Sequence, residues 1–386
     1  MRPPVSSALA SADPQGDGAD DLLRTLLSAG GQADASGLPL RPGLNFATPD
    51  SLALTTHPAI RDAALAALGN HGPSTHALEM RLAAFLQLPA ALTFRSGDAA
   101  IRQVLRSFLV PGDQVIVDCA APPAMAEAVL AARAHLHRSP AGSVAGVERR
   151  LSRLARQPRK GRLVIAVPAV SAQASRVADL AELSDLASHH GATLIVDVTH
   201  DLGAIGPAGG GMAEVQGCTG RADILLGSFD RSFAASGGFA AFRDPALSQA
   251  CGQAEALSPV NASVILAALD LIASAEGSRR RRNLHGLVLR LRNHLMADGV
   301  KVMGQPSPFI PILLPAETAL PRTALLESAG PRLALVQAPV VPLHAPRWHV
   351  HLTAAHSPAD IDDLAELIRD VSRAFDRSPA SIRVPA

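Results

Sequence analysis

From residue 45 onward, short apolar, β-branched runs alternate with Ala/Leu-rich stretches. The strand-like runs are ALTF (91–94), QVIVD (114–118), RLVIAVPAV (162–170), ATLIVDV (192–198), ADILLGSF (222–229) and GGFAAFRD (237–244). Between them, 57–68, 75–87, 98–108, 123–135, 146–156 and 178–190 read as helices. Strands this continuously apolar are buried on both faces, so the pattern predicts an α/β fold: a mostly parallel sheet with helices on each side, three layers in all. Two long helices at 261–275 and 280–298 follow. The remainder alternates again, with strands near 299–303, 308–314 and 348–353 and helices near 320–329 and 358–375, which suits a smaller α+β domain. Ser357-Pro358 supplies a cap and a first-turn proline for the last helix. The expected division is an arm over 1–44, a large domain over 45–275 and a small C-terminal domain over 276–386. Within the arm, 1–18 reads as disordered and 20–29 as a short amphipathic helix.

Composition narrows the function. The net charge is +1, so no global field favours nucleic acid or a membrane surface. Aromatics make up 3% with no tyrosine, which removes the stacking platforms of single-strand binders. The three cysteines are scattered, there is no signal-peptide pattern and no run has the apolar length of a membrane span. A reducing, cytoplasmic setting is expected. Lys160 and Lys301 are the only lysines among 35 basic residues, so lysine chemistry has two places to occur.

In open α/β sheets ligands bind beyond the carboxyl ends of the strands. That rule selects Asp118, Asp197 with His200, and Ser228 to Arg231, while Ser96-Gly97 opens a helix whose free N–H groups suit an anion.

At these positions the chain resembles the α-oxoamine synthases, pyridoxal-phosphate enzymes of fold type I that join an amino acid to an acyl-CoA. IVDVTHDLGAIGPAGGG (195–211) and ADILLGSFDRSFAASGGFAAF (222–242) carry the likeness. GLNFATPDSLALTTHPAI (43–60), HALEMRLAAFL (76–86), FRSGDAAI (94–101) and RWHVHLTAAHSPADIDDL (347–364) extend it over nearly the whole chain, in order. The resemblance implies a serine palmitoyltransferase-, aminooxononanoate synthase- or aminolevulinate synthase-like protein of the aminotransferase class I/II type. It also implies a dimer with sites at the subunit interface.

The resemblance gives Asp197 the cofactor's pyridine nitrogen, and gives Ser96, Gly97, His200 and Ser228 further cofactor contacts. Its GTFSK reads GSFDR here, which puts Arg231 where the family has its Schiff-base lysine. A guanidinium stays protonated and cannot attack an aldehyde. The ring-stacking histidine falls on Pro122, the aromatic of the phosphate turn on Asp98, the residue before the lysine on Asp230, and the carboxylate-binding arginine on His349, as the substrate contact. The glycine-rich loop is shortened to GNHGPST (69–75). Each carboxylate about 5 Å from a phosphate charge costs roughly 3 kcal/mol at an effective dielectric near ~20. A non-catalytic homologue or pseudoenzyme is therefore expected, as a homodimer or beside a lysine-bearing paralogue, with pyridoxal phosphate held noncovalently or lost. The alternative is an acyltransferase working without a covalent lysine link. A third is a binding protein for acyl-CoA or another anionic small molecule, with Arg231 as its charge.

Other features have plainer readings. Asp197 and His200 also suit a purely structural turn. His349, His351 and His356 could be read as a metal site, but a structural role is favoured, and no metal is expected. The Arg279–Arg282 run reads as a solvated helix face, or else as a contact for CoA phosphates or an anionic surface.

Overall fold

The computed structural model describes residues 45–69, 74–156, 161–252 and 257–376. The 20–29 helix, the core of the 69–75 loop and Lys160 lie outside them.

In chain order the elements are β1 (Asn45–Phe46), α1 (Pro58–Gly69), α2 (Thr75–Leu86), β2 (Ala90–Phe94), α3 (Gly97–Phe108), β3 (Gln114–Asp118), α4 (Pro123–Ala131), β4 (His135–Ser139) and α5 (Val144–Ala155). There follow β5 (Leu163–Pro168), α6 (Leu180–His190), β6 (Ala192–Asp197), α7 (Gly211–Val215), β7 (Ile224–Ser228), β8 (Gly238–Phe242), α8 (Pro245–Ala250), α9 (Pro259–Ala273) and α10 (Ala275–Ala297). The chain closes with β9 (Phe309–Leu313), α11 (Ala319–Ser328), β10 (Arg332–Val336), β11 (Arg347–His351) and α12 (Pro358–Asp376).

The large sheet has the order β2-β8-β7-β6-β5-β3-β4. β7, β6, β5, β3 and β4 pair in parallel and only β8 runs against its neighbours, so the sheet is mostly parallel, as the apolar runs predict. Alternate residues feed two layers. Val164, Ala166, Ile195 and Leu226 face α3 and α4, while Ile165, Val167, Val196 and Leu225 face the layer that holds α5, α6 and α9. The register sets Pro168 opposite Asp197, Asp197 opposite Leu226 and Ser228 opposite Gly238. The carboxyl ends of β5, β6 and β7 therefore finish at one rim.

The small sheet has the order β1-β10-β11-β9. Asn45 and Phe46, read from sequence as the start of the large domain, pair in parallel with Arg332 and Leu333 of this sheet. Trp348 is its fully buried centre, donating its indole N–H to Thr323 Oγ1 at 2.8 Å.

Three local expectations are corrected. The helix read over 123–135 ends at Ala131, and His135–Ser139 is the edge strand β4, whose polar HLHRS sequence carries no apolar alternation. The strand read at 299–303 is a single bridge between Val302 and Ile312. The arginine run is only partly solvated. Arg280 holds the carbonyls of Leu52 and Ala53 and the carboxylate of Glu276, and Arg281 is buried.

Candidate active site

The site is built at the rim where β6 and β7 end. Asp197 is the last residue of β6 and is buried. Its Oδ1 accepts the Thr199 N–H at 2.9 Å and the Thr199 hydroxyl at 2.6 Å, a side-chain-closed turn that fixes the carboxylate. Thr199 Oγ1 in turn accepts the N–H of Ser228 at 3.1 Å, which ties the ends of β6 and β7 together. Oδ2 accepts no hydrogen bond from the described residues. Burial raises the Asp197 pKa; the Thr199 bonds and the nearby Arg231 charge pull it back, and Asp98 raises it again.

Helix α3 starts beside β7. Ser96 caps it, accepting the Ala99 N–H at 3.2 Å. A Cβ on Gly97 would stand 3.0 Å from the Ser228 Cβ, so the close approach of helix start to strand end suits glycine. The α3 N-terminus is anion-friendly in its backbone, but its first turn carries Asp98. The Ser228 hydroxyl is already committed: it donates to the Asp230 carboxylate, with the Gly237 carbonyl 3.1 Å away.

Arg231 is half-buried and follows β7 by three residues. Its guanidinium makes no hydrogen bond and no ion pair within the described residues. Burial lowers its pKa, and the charges of Asp230 and Asp197 work against that. Facing it are three imidazoles arranged around Phe309. His200 lies 5.4 Å from that ring, His349 5.4 Å and His351 5.8 Å, centroid to centroid. Burial, reinforced by the Arg231 charge, holds all three neutral: His349 falls to about 4, His351 to about 3 and His200 well below its ordinary value. His349 Nε2 lies 3.2 Å from the Gln173 carbonyl.

The structure thus brings Ser96, Gly97, Asp197, His200, Ser228, Arg231 and His349 to one junction between the two sheets. It places other candidates elsewhere. Asp118 is a structural clamp, accepting the Ala120 and Gly142 N–H groups at 2.7 Å each. His356 stacks on Phe46 at 4.4 Å and accepts the Thr353 N–H, apart from His349 and His351. Among the described residues no three His, Cys, Asp or Glu side chains form a cluster able to hold a metal. Thr199, Gln173 and Phe309 are site residues that sequence reasoning missed. The D-x-T spacing signals the first; the others arrive from the loop after β5 and from the first residue of β9, and leave no local mark.

Three comparisons place this geometry. A profile of the family "aminotransferase class I and II" matches residues 48–368. The chain belongs to that family. Among curated relatives, an 8-amino-7-oxononanoate synthase of an Azoarcus species is 31% identical, over 92% of this chain and 98% of its own. Its counterpart from Halorhodospira halophila is 32% identical over 82% and 78%. In fold, a solved serine palmitoyltransferase from S. paucimobilis, a lysine-to-alanine variant with bound PLP-myriocin aldimine, superposes with a TM-score of 0.82 at 22% identity, covering 94% and 98%. The family member described here is thus an α-oxoamine synthase homologue with the fold of type I pyridoxal-phosphate transferases.

The residues at the rim fit a tethered pyridoxal phosphate only in part. Asp197, with one oxygen open, suits a pyridinium. Among the described residues no amine stands at the rim: Lys301, the one lysine among them, is exposed and its carbonyl binds the Leu313 N–H. The hydroxyl beside the helix start is taken by Asp230. The site therefore does not fit the lysine-linked cofactor, and no chemical step is derived through it.

Proposed function

We propose that this chain is a non-catalytic member of the α-oxoamine synthase group, retaining the scaffold and the pyridine-side aspartate while lacking the means to tether the cofactor. The observation that carries this reading is the pair Asp230–Arg231. Where a nucleophilic amine would stand there is a permanently charged guanidinium. Its neighbour's carboxylate occupies the hydroxyl of Ser228. The reading takes Ser96, Gly97, Asp197, His200 and Ser228 as a residual cofactor cradle and His349 as the residual substrate contact. It takes the large and small domains as 45–275 and 276–386. The protein works in the cytoplasm as a homodimer or beside a lysine-bearing paralogue, whose shared interface it completes. Among the described residues no single helix is long and apolar enough to cross a membrane.

The test is a spectrum of the purified protein with added pyridoxal phosphate, before and after borohydride. The expected result is no reductively fixed absorbance. A pyridoxyl adduct on Lys160 or Lys301 by mass spectrometry overturns the reading.

A second reading is an acyltransferase that uses the cofactor without a covalent link. The buried Asp197 and the solved lysine-to-alanine relative with its bound PLP-myriocin aldimine support it. Visible absorbance that survives gel filtration, together with acyl transfer lost in Asp197→Asn, would favour it over the first.

A further inference from the structure

A second cavity opens at the domain junction, away from this rim. It has a volume of 1120 Å³, just above the ~300–1,000 Å³ usual for small-molecule sites. None of the site residues above lines it. Its apolar walls include Val177, Ile205, Met212, Val215 and Val288. Helix α10 lines it from Ser278 to Val288, about 15 Å of helix. Along that length Arg281 and Arg282 come first, then Leu284 and His285, and Val288 ends it. The two guanidinium groups make the start of this face its cationic end.

The cationic end is incompletely used. Arg281 is 5% exposed. Its Nη1 donates to the Ile272 carbonyl at 2.8 Å and its Nη2 to the Pro207 carbonyl at 2.6 Å. A guanidinium has five N–H donors. The other three find no acceptor among the described residues, and Nε is buried without a partner. No carboxylate pairs with it. Glu214, the acid within electrostatic reach, has both oxygens held by the Ala208 and Gly210 N–H groups. A buried cation whose hydrogen bonds all go to neutral carbonyls, with Glu214 acting on it only through space, is stabilised further when an anion completes it. Exposed Arg282 stands beside it, held by Ser278 Oγ at 2.7 Å. The other polar lining groups are internally satisfied: Gln216 binds the Leu180 N–H and the Ala178 carbonyl, and Gln305 the Val177 N–H. The one carboxylate on the lining, Asp179, caps α6 by accepting the Glu182 N–H.

We propose that this cleft binds a soluble amphipathic anion, an unbranched aliphatic monocarboxylate, with its head at Arg281, Arg282 and His285 and its chain along Val288, Met212 and Val215. The inference is independent of how the Asp197 rim is read.

The full chain is titrated with 11-(dansylamino)undecanoic acid, followed by displacement with sodium laurate below its micelle concentration and with 1-decanol. One saturable site per chain is expected, with laurate displacing at least tenfold more effectively than the uncharged alcohol. Arg282→Ala combined with His285→Ala, both at exposed positions, should weaken laurate binding about tenfold or more, the factor expected for a lost charge-assisted bond. Val215→Glu, which sets a negative charge in the exposed part of the apolar wall, should weaken it similarly. Unchanged melting temperatures would show that these variants fold. Absence of saturable binding, equal displacement by decanol, or laurate affinity unchanged in the folded variants overturns the proposal.

Discussion

At the scale of single residues, the rim is a place where burial outweighs charge. Asp201, fully buried behind it, accepts the Met212 N–H through Oδ2 at 2.7 Å, and its Oδ1 has no partner. Burial raises its pKa to about 8. The folded chain therefore holds a proton that the unfolded chain has lost above about pH 4, and stability falls as pH climbs from ~4 to ~8 by up to about 1.4 kcal/mol per unit. Asp201→Asn should flatten that decline in denaturant melts at pH 6 and pH 8.5. His349 and His351 work in the opposite direction. Their folded pKa values, about 4 and about 3, lie below the unfolded value, so the unfolded state takes up protons first as pH drops. Their effect is to cost stability below about pH 6.5, and the double variant His349→Gln/His351→Gln should lose less stability between pH 6.5 and 4. Sequence made several of these residues visible. Arg231, Asp230 and His349 were legible because the flanking motifs fix their register against a familiar pattern. Phe309 and Gln173 were not, because only the closed fold carries them to His349.

At the scale of elements, close backbone packing does as much as apolar pattern. A Cβ on Gly238 would meet the Ser96 carbonyl at 2.2 Å, and both belong to backbone that cannot step aside. Gly238→Ala should push β8 from the start of α3 and cost about 3 kcal/mol or more, read as a large fall in melting temperature or loss of soluble protein. Ser274 serves two helices at once: its hydroxyl donates to the Leu271 carbonyl at 2.6 Å and accepts the Gly277 N–H that opens α10. Ser274→Ala should cost about 1–2 kcal/mol in chemical denaturation. The buried parallel strands could be read from sequence because each is a near-unbroken apolar run, with β5 buried at all six positions. β4 could not, since an edge strand with one exposed side needs no such run. The arginine run deceived for a related reason. Charge alone suggests water, yet Arg280 and Arg281 each reach carbonyls left open at a helix end or loop, and all but that of Ile272 belong to distant parts of the chain.

At the scale of the whole molecule, a few polar clamps join the two sheets. Arg347, buried in β11, donates to the Gln173 carbonyl at 3.0 Å, and Ser175 Oγ donates to Ser307 Oγ at 2.7 Å. Trp348, the single tryptophan, reports on the small sheet alone, whereas far-ultraviolet dichroism is dominated by helices spread throughout the described residues. With the clamps intact, the two signals should melt together. Arg347→Met should separate their midpoints, the fluorescence change coming first. The pairing of β1 with β10 has a consequence for biosynthesis. Asn45 meets Arg332, so two strands made at opposite ends of translation must find each other. Closing so long a loop is entropically slow, and a ribosome-bound nascent chain carries an unmated Asn45–Phe46 until almost all of the polypeptide has emerged. Prematurely terminated products therefore expose that short edge and are natural clients for chaperones and proteases.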